Sequence, residues 1–116
     1  MLVKRDYKTL LPKLIAVLFP SIEDRQEAQA MLDEYHHNEK DRVCVGILKA
    51  SNGDLVKMRS LVELANNDWR DLLVEAEFSR SFGKDKLQKS DPKEYRNLEQ
   101  REANEYDDWL SSTLAT

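Results

Sequence analysis

The sequence predicts an all-α fold, and three observations support this prediction. Apolar residues recur at intervals of three and four along most of the chain, which is the spacing of one face of a helix. Helix-capping residues precede these segments at five points. The 116 residues contain only three glycines and three prolines and are 41% apolar, a composition too apolar for a disordered chain and too poor in glycine for a turn-rich β fold.

These segments predict a single helical domain over residues 1–116 with five or six helices. A chain of this length buries roughly two-thirds of its unfolded surface, so one ordinary core is enough. Because short polar connections separate the segments, we expect a short stack of antiparallel helical hairpins, an arrangement like an α-α superhelix. A compact helical bundle is the alternative, since no residue-level repeat accompanies the pattern.

The first helix is predicted from seven apolar residues that share one face. They are Tyr7, Leu10, Leu11, Leu14, Ile15, Leu18 and Phe19. Pro12 interrupts this stretch, and a proline ring clashes with an upstream carbonyl inside a helix. The helix therefore either kinks at Pro12 or begins there after a short first turn, and Pro20 ends it.

The next two helices begin at capping residues. Ser21 is able to accept from free backbone N–H groups at the start of a helix that runs to about Tyr35. Asn38 is predicted to cap a third helix through about Lys49. The inward-facing residues of this third helix are Val43, Cys44, Ile47 and Leu48. Gly46 is the weak point of this helix, because glycine has a low helix propensity.

A second hairpin follows a tight turn at Asn52-Gly53-Asp54. Gly53 is able to take the left-handed conformation that ends a helix, and Asp54 is able to cap the next one. Residues 66–68 then offer a stop and another cap. The apolar residues of the two helices are Leu55, Met58, Leu61, Val62 and Ala65, followed by Trp69, Leu72, Leu73 and Ala76.

The remainder of the chain predicts a surface loop and a terminal helix. Residues 79–91 carry Ser, Gly and alternating Lys and Asp with little apolar content, a composition typical of loops. Asp91-Pro92-Lys93-Glu94 combines a cap, a proline at the first helical position and an acidic residue at the third. This signal predicts a helix over residues 92–111.

The stretch from Arg42 to Lys49, continued through Asn52-Gly53-Asp54-Leu55 to residues 67–73, resembles an uncharacterised family of small bacterial all-helical proteins. The resemblance covers about a third of the chain, and the matching residues are mostly helix caps and core positions. It implies an α-helical, repeat-like fold. It implies no assigned activity and carries over no functional residue.

The charge and the cysteine content limit the classes of partner and compartment. The formal net charge is -4, and a mildly acidic surface repels phosphate backbones, so nucleic acid is not an expected partner. No segment reaches the roughly 20 apolar residues that span a bilayer, and the apolar run near the N-terminus is too interrupted for a signal peptide. A single cysteine forms no intramolecular disulfide. We therefore predict a cytoplasmic protein with no membrane partner.

His36 and His37, with several carboxylates nearby, form the main cluster of metal-binding or proton-binding side chains. Adjacent residues on a helix point about 100° apart, so both imidazoles do not easily face one metal. A solvated role is therefore favoured. We predict no catalytic residue, no cofactor and no metal, and keep His36 and His37 as weak metal candidates. Cys44 has apolar neighbours and is predicted to lie in the core.

The aromatic residues of the terminal helix are the predicted partner-binding residues. Tyr95, Tyr106 and Trp109 lie on a helix otherwise rich in acidic residues, and aromatic residues are over-represented at interface hot spots. Packing within the chain is the alternative. The segment 79–93 holds five cations and suits phosphate contacts, but a solvated loop is favoured because no stacking platform accompanies them.

These observations rank three functions. The leading hypothesis is a non-enzymatic protein-interaction or scaffold module whose partner is another protein or a second copy of the chain. The alternative is a small metal-dependent or acid–base enzyme or regulator centred on His36 and His37. Nucleic-acid binding through residues 79–93 ranks lowest, because the net charge of the chain is negative.

Overall fold

Seven α-helices form the computed structural model, which describes residues 5–115, and no strand occurs in this range. They are α1 (Tyr7–Leu18), α2 (Ile22–Asp33), α3 (Lys40–Ser51), α4 (Leu55–Asn67), α5 (Trp69–Glu77), α6 (Asp85–Ser90) and α7 (Pro92–Leu114). The predicted all-α class is confirmed. No helix in residues 5–115 combines the length and the apolar content needed to cross a membrane.

The helices form two layers, and α7 packs on one of them. In the first layer α1 contacts α3 and α3 contacts α5, while in the second layer α2 contacts α4. Residues 19–21 join α1 to α2, and residues 52–54 join α3 to α4. This order of contacts is that of stacked helical hairpins. α7 packs against α1 and α5 and completes the first layer.

α3 is the central helix, and this position explains its sequence. Residues 43–48 are buried without a break, as expected for a helix with neighbours on all sides. Gly46 lies where α5 comes closest. A Cβ at this position would be 3.1 Å from Leu72 Cδ1 and 3.2 Å from Ala76 Cβ. The predicted weak point of α3 is therefore its point of closest helix contact.

Side-chain caps begin five of the helices. The side chains of Asp6, Ser21, Asp54, Asp68 and Asp91 each accept a hydrogen bond from a backbone N–H of the first turn. The cap at Asp6 starts α1 at Tyr7, and the helix runs through Pro12 to Leu18. The predicted new start at Pro12 is therefore wrong, and the predicted kink there stays a prediction.

The prediction that Asn38 caps α3 is wrong. The helix begins at Lys40, and Glu39 before it has a left-handed φ of 54° and makes no side-chain cap hydrogen bond. Asn38 has another role, because its backbone carbonyl accepts the hydroxyl of Tyr35 at 2.5 Å. The buried ring of Tyr35 thus sets the turn before α3, and a tertiary contact replaces the local capping preference.

The segment predicted as a surface loop, residues 79–91, contains the short helix α6. A helix of six residues is not stable alone, but α6 packs against α7 with Leu87 half-buried. Packing on a neighbouring helix therefore overrides the loop-like composition. Two other helices end a few residues away from their predicted ends. α2 ends at Asp33 rather than at about Tyr35, and α7 continues to Leu114 rather than ending at residue 111.

Candidate functional site

An open cleft of about 640 Å³ lies between α7 and the ends of three helices. Arg5 and Tyr7 line it from the start of α1, Glu39 and Arg42 from the start of α3, and Glu77 and Phe78 from the end of α5. The fourth wall is formed by residues of α7 from Arg96 to Asp107. We call this site the Tyr106 cleft. Its volume is in the range of ligand sites.

Helical spacing turns one face of α7 toward the cleft. Arg96, Glu99, Gln100, Ala103, Tyr106 and Asp107 line it, and their intervals of three and four place them on one face. Glu102, Tyr106 and Leu110 are the buried residues of the same helix. Tyr106 therefore belongs both to the cleft wall and to the side of α7 that packs on the body.

Arg5 joins the start of α1 to α7. Its Nε donates to Asp107 Oδ1 at 2.7 Å, and its Nη2 donates to the carbonyl of Ala103 at 3.1 Å. The guanidinium carbon lies 4.3 Å from the centroid of the Tyr106 ring, within the range of a cation–π contact. The charge of Arg5 is thus already balanced by Asp107.

A second ion pair joins α3 to α5. Arg42 Nε donates to Glu77 Oε2 at 3.0 Å, and Nη2 donates to Oε1 at 2.7 Å, which is the strong bidentate geometry. The Glu77 side chain is only 5% exposed, and the hydrogen bonds to Glu77 raise the pKa of Arg42. Arg42 is therefore committed to a buried carboxylate.

Tyr106 carries the one buried side-chain nitrogen or oxygen atom that lacks a hydrogen-bond partner within residues 5–115. The residue is 2% exposed. Burial raises the pKa of Tyr106 far above its usual range, and the other groups that shift it are Glu77, Tyr7, Arg5 and Arg42, all of which line the cleft. The hydroxyl therefore keeps its proton and is an unused donor, at a cost of about 1–3 kcal/mol for a buried unpaired group.

Three exposed charged residues of the cleft, Glu39, Glu99 and Arg96, form no ion pair and no side-chain hydrogen bond with the rest of residues 5–115. The complete lining contains three arginines and five carboxylates, a formal net charge of -2. The cleft thus combines neutralised ion pairs in its walls with an excess of negative charge.

Glu102 holds the chain after α5 against α7. Its buried carboxylate accepts the backbone N–H of Arg80 at 3.0 Å and that of Ser81 at 2.8 Å, and the side chain of Arg80 pairs with Glu105. These bonds position the segment that follows Phe78. The Phe78 ring is 37% exposed in the cleft, where it offers an apolar contact surface.

The three predicted partner-binding residues have different positions. Tyr106 is buried within the chain, whereas Tyr95 and Trp109 are half-buried. Trp109 packs against the core, and its ring meets the Tyr106 ring edge-on with centroids 6.1 Å apart. Tyr95 lies outside the lining of the cleft. The structure therefore brings together only Tyr106 and Trp109.

His36 and His37 lie in the turn between α2 and α3, and both are exposed. Their ring centroids are 4.4 Å apart, and His36 Nδ1 is 3.0 Å from the carbonyl oxygen of Glu34. Across residues 5–115 no group of three or more His, Cys, Asp or Glu side chains is arranged to hold a metal ion. The metal or acid–base hypothesis stays a prediction, and neither histidine lines the Tyr106 cleft.

Cys44 and the lysine-rich segment are the two remaining candidates from the sequence. Cys44 is a core residue, as predicted, and burial raises the pKa of its thiol to about 12, which is unfavourable for a nucleophile. In the segment 79–93, Lys84, Lys86, Lys89 and Lys93 are exposed and Phe82 is 65% exposed beside them. Nucleic-acid binding there stays a prediction of lowest rank.

Sequence patterns did not indicate most of the residues of the Tyr106 cleft. Arg5, Arg42 and Glu77 lie far apart along the chain, so no motif relates them. One signal was available. Glu77 and Glu102 occupy positions that continue the apolar faces of α5 and α7, and both are buried. A charged residue on a core-facing helix position indicates a buried partner.

Comparison with known proteins identifies no relative of this chain. No family model, no curated protein and no solved structure matches the chain. The resemblance to small bacterial helical proteins stays a prediction.

Proposed function

We propose that this chain is a non-enzymatic protein-interaction module that binds a segment of a partner protein in the Tyr106 cleft. The observation that carries the proposal is the Tyr106 hydroxyl, which is buried without a partner in the wall of an open cleft. Buried polar groups nearly always form hydrogen bonds, so an unused donor buried in the wall of a cleft supports a binding role for that cleft.

The other lining residues support binding rather than catalysis. The cleft presents the rings of Tyr7 and Phe78 together with arginine side chains, and aromatic residues and arginine are enriched at interface hot spots. Carboxylates are able to act as general bases, but Glu77 and Asp107 are held in ion pairs and Glu102 accepts two backbone N–H groups. Arg5 and Arg42 are held in ion pairs that stiffen the walls.

Site-specific photo-cross-linking tests the proposal. Benzoylphenylalanine replaces Gln100 in the cleft or, as a control on the same helix, the exposed Asp108 outside it. The labelled chains are irradiated in a lysate of the source organism, and the adducts are identified by mass spectrometry. We expect one defined partner segment at Gln100 and none at Asp108.

Two further variants make the result specific to the cleft. Ala103→Trp fills the cleft, and Asn104→Trp adds the same ring at an exposed position outside it. We expect Ala103→Trp to abolish the Gln100 adduct and Asn104→Trp to leave it unchanged. Equal adducts at both photo-reactive positions, an adduct that survives Ala103→Trp, or no adduct at all would contradict the proposal.

A further inference from the structure

The charges of the Tyr106 cleft define the chemistry of the segment that fits it. Arg5 and Arg42 are each neutralised by a carboxylate at 2.7 Å, and Glu102 is saturated by two backbone N–H groups. An anionic ligand would have to break these pairs before it could use either arginine. The lining residues that form neither an ion pair nor a side-chain hydrogen bond within residues 5–115 are two carboxylates, Glu39 and Glu99, against one arginine, Arg96.

The two free carboxylates come from different walls. Glu39 precedes α3, where its left-handed backbone, with φ at 54°, places it at the turn rather than within the helix. Glu99 projects from α7 one helical turn before Ala103. The aromatic rings of Tyr7 and Phe78 line the same cleft. Carboxylates next to aromatic faces are a favourable environment for an organic cation.

We propose that the Tyr106 cleft binds a partner segment through a basic side chain, a guanidinium or an ammonium, that follows an apolar residue. The basic group pairs with Glu39 and Glu99, and the apolar residue packs on Phe78 and Ala103. This inference rests on the proposed interaction function and adds the chemical class of the partner.

The probe is the capped dipeptide acetyl-Phe-Arg-amide, titrated into the isotope-labelled full chain and followed by NMR. Acetyl-Phe-citrulline-amide is its neutral isostere, and a capped phosphotyrosine is the anionic competitor. We expect saturable shifts at the amides of Glu39, Glu99 and Ala103. The citrulline peptide should bind about tenfold more weakly, because one charged hydrogen-bonded contact is worth roughly a factor of ten.

Matched variants localise the effect. Glu39→Gln with Glu99→Gln should weaken binding of the arginine peptide about tenfold. The control, Glu75→Gln with Asp108→Asn, removes the same charge from exposed positions outside the cleft and should change the affinity by less than about twofold, since exposed charges at a distance are screened. All four carboxylates are exposed, so the folded state is retained, as circular dichroism will verify.

The outcomes separate this inference from the proposed function. Equal affinity for the arginine and citrulline peptides, equal effects of the two double variants, or tighter binding of phosphotyrosine would overturn the basic-ligand inference. No shift at millimolar arginine peptide would overturn it as well. If any of these results accompanies a defined cross-link at Gln100, the interaction function stands and only the ligand class is wrong; without the cross-link, both fail.

Discussion

Tyr35 and Tyr106 are the two largest fully buried side chains in the described range 5–115, but they differ in one hydrogen bond. The hydroxyl of Tyr35 donates to the carbonyl of Asn38 at 2.5 Å, while that of Tyr106 has no partner in residues 5–115. A satisfied buried hydroxyl stabilises the fold, whereas an unsatisfied one destabilises it. Replacing each tyrosine with phenylalanine therefore removes a paired hydroxyl at residue 35 and an unpaired hydroxyl at residue 106.

We expect Tyr106→Phe to leave the free energy of unfolding unchanged or to raise it by up to about 1 kcal/mol, because it removes an unpaired polar group. Tyr35→Phe should lower it by about 1 kcal/mol through loss of a made hydrogen bond. Urea denaturation followed by circular dichroism measures both. A loss of more than about 1 kcal/mol in Tyr106→Phe would mean that this hydroxyl has a partner inside the folded chain.

Cys44 makes stability depend on alkaline pH. Burial raises the pKa of its thiol to about 12, whereas an unfolded cysteine titrates near 8.5. Between these values the folded state keeps a proton that the unfolded chain releases. The part of the free energy of unfolding that comes from the protonated Cys44 thiol is therefore complete below about pH 8.5. It is lost as the pH rises toward 12.

From pH 8.5 to pH 10 we expect the free energy of unfolding to fall by about 1–2 kcal/mol more in the native chain than in Cys44→Ala. The tyrosines are common to both proteins, so the difference isolates the thiol. The measurement is a series of urea titrations across this pH range. Parallel pH profiles for the two proteins would refute the assignment.

At the scale of the helices, contact between α3 and α5 depends on Gly46. A methyl group there would lie 3.2 Å from Ala76 Cβ, an atom that has no side-chain rotation to move it away. Alanine improves helix propensity by up to about 1 kcal/mol, but inserting a carbon into a packed interior costs about 1–3 kcal/mol. Packing and propensity therefore oppose each other, and packing is the larger effect.

Gly46→Ala should lower the free energy of unfolding by about 1–2 kcal/mol. The loss should shrink when Ala76→Gly is present, since the facing methyl group is then gone. A double-mutant cycle by urea denaturation measures this coupling. Full additivity of the two substitutions, or a more stable Gly46→Ala, would show that α5 does not approach α3 at this residue.

The beginnings of most helices were predictable, because a cap acts within three residues of the chain. Ser21, Asp54 and Asp91 cap the helices that their positions predicted. Asn38 does not, because the buried Tyr35 uses its carbonyl and sets the turn. α6 was missed because its stability comes from α7 rather than from its own six residues.

On the scale of the whole molecule, α7 has two unlike halves. Its buried residues, Glu102, Tyr106 and Leu110, lie between the middle of the helix and its C-terminal end. In the first half, Tyr95 and Leu98 are only half-buried, and no residue of α6 is buried. The first half of α7 and α6 therefore stabilise each other with little support from the core. Segments with few buried apolar contacts open at low free energy.

Native-state hydrogen exchange should separate the two halves. We expect amides of residues 95–101 and 88–90 to exchange at least about tenfold faster than those of residues 106–114, through local opening. Residues 43–48 of the central helix, all buried, serve as the reference for global unfolding. Uniform protection along α7 would contradict this division.

By itself the sequence determined the all-α class, most helix starts and most of the core, because caps and apolar periodicity act between residues that are close in the chain. Only the tertiary structure decided which charges meet. Arg5 reaches Asp107, and Arg42 reaches Glu77, because the stacking of α1, α3, α5 and α7 brings these distant residues together. The Tyr106 cleft depends on that stacking, since burial and pairing of charges are properties of the folded molecule.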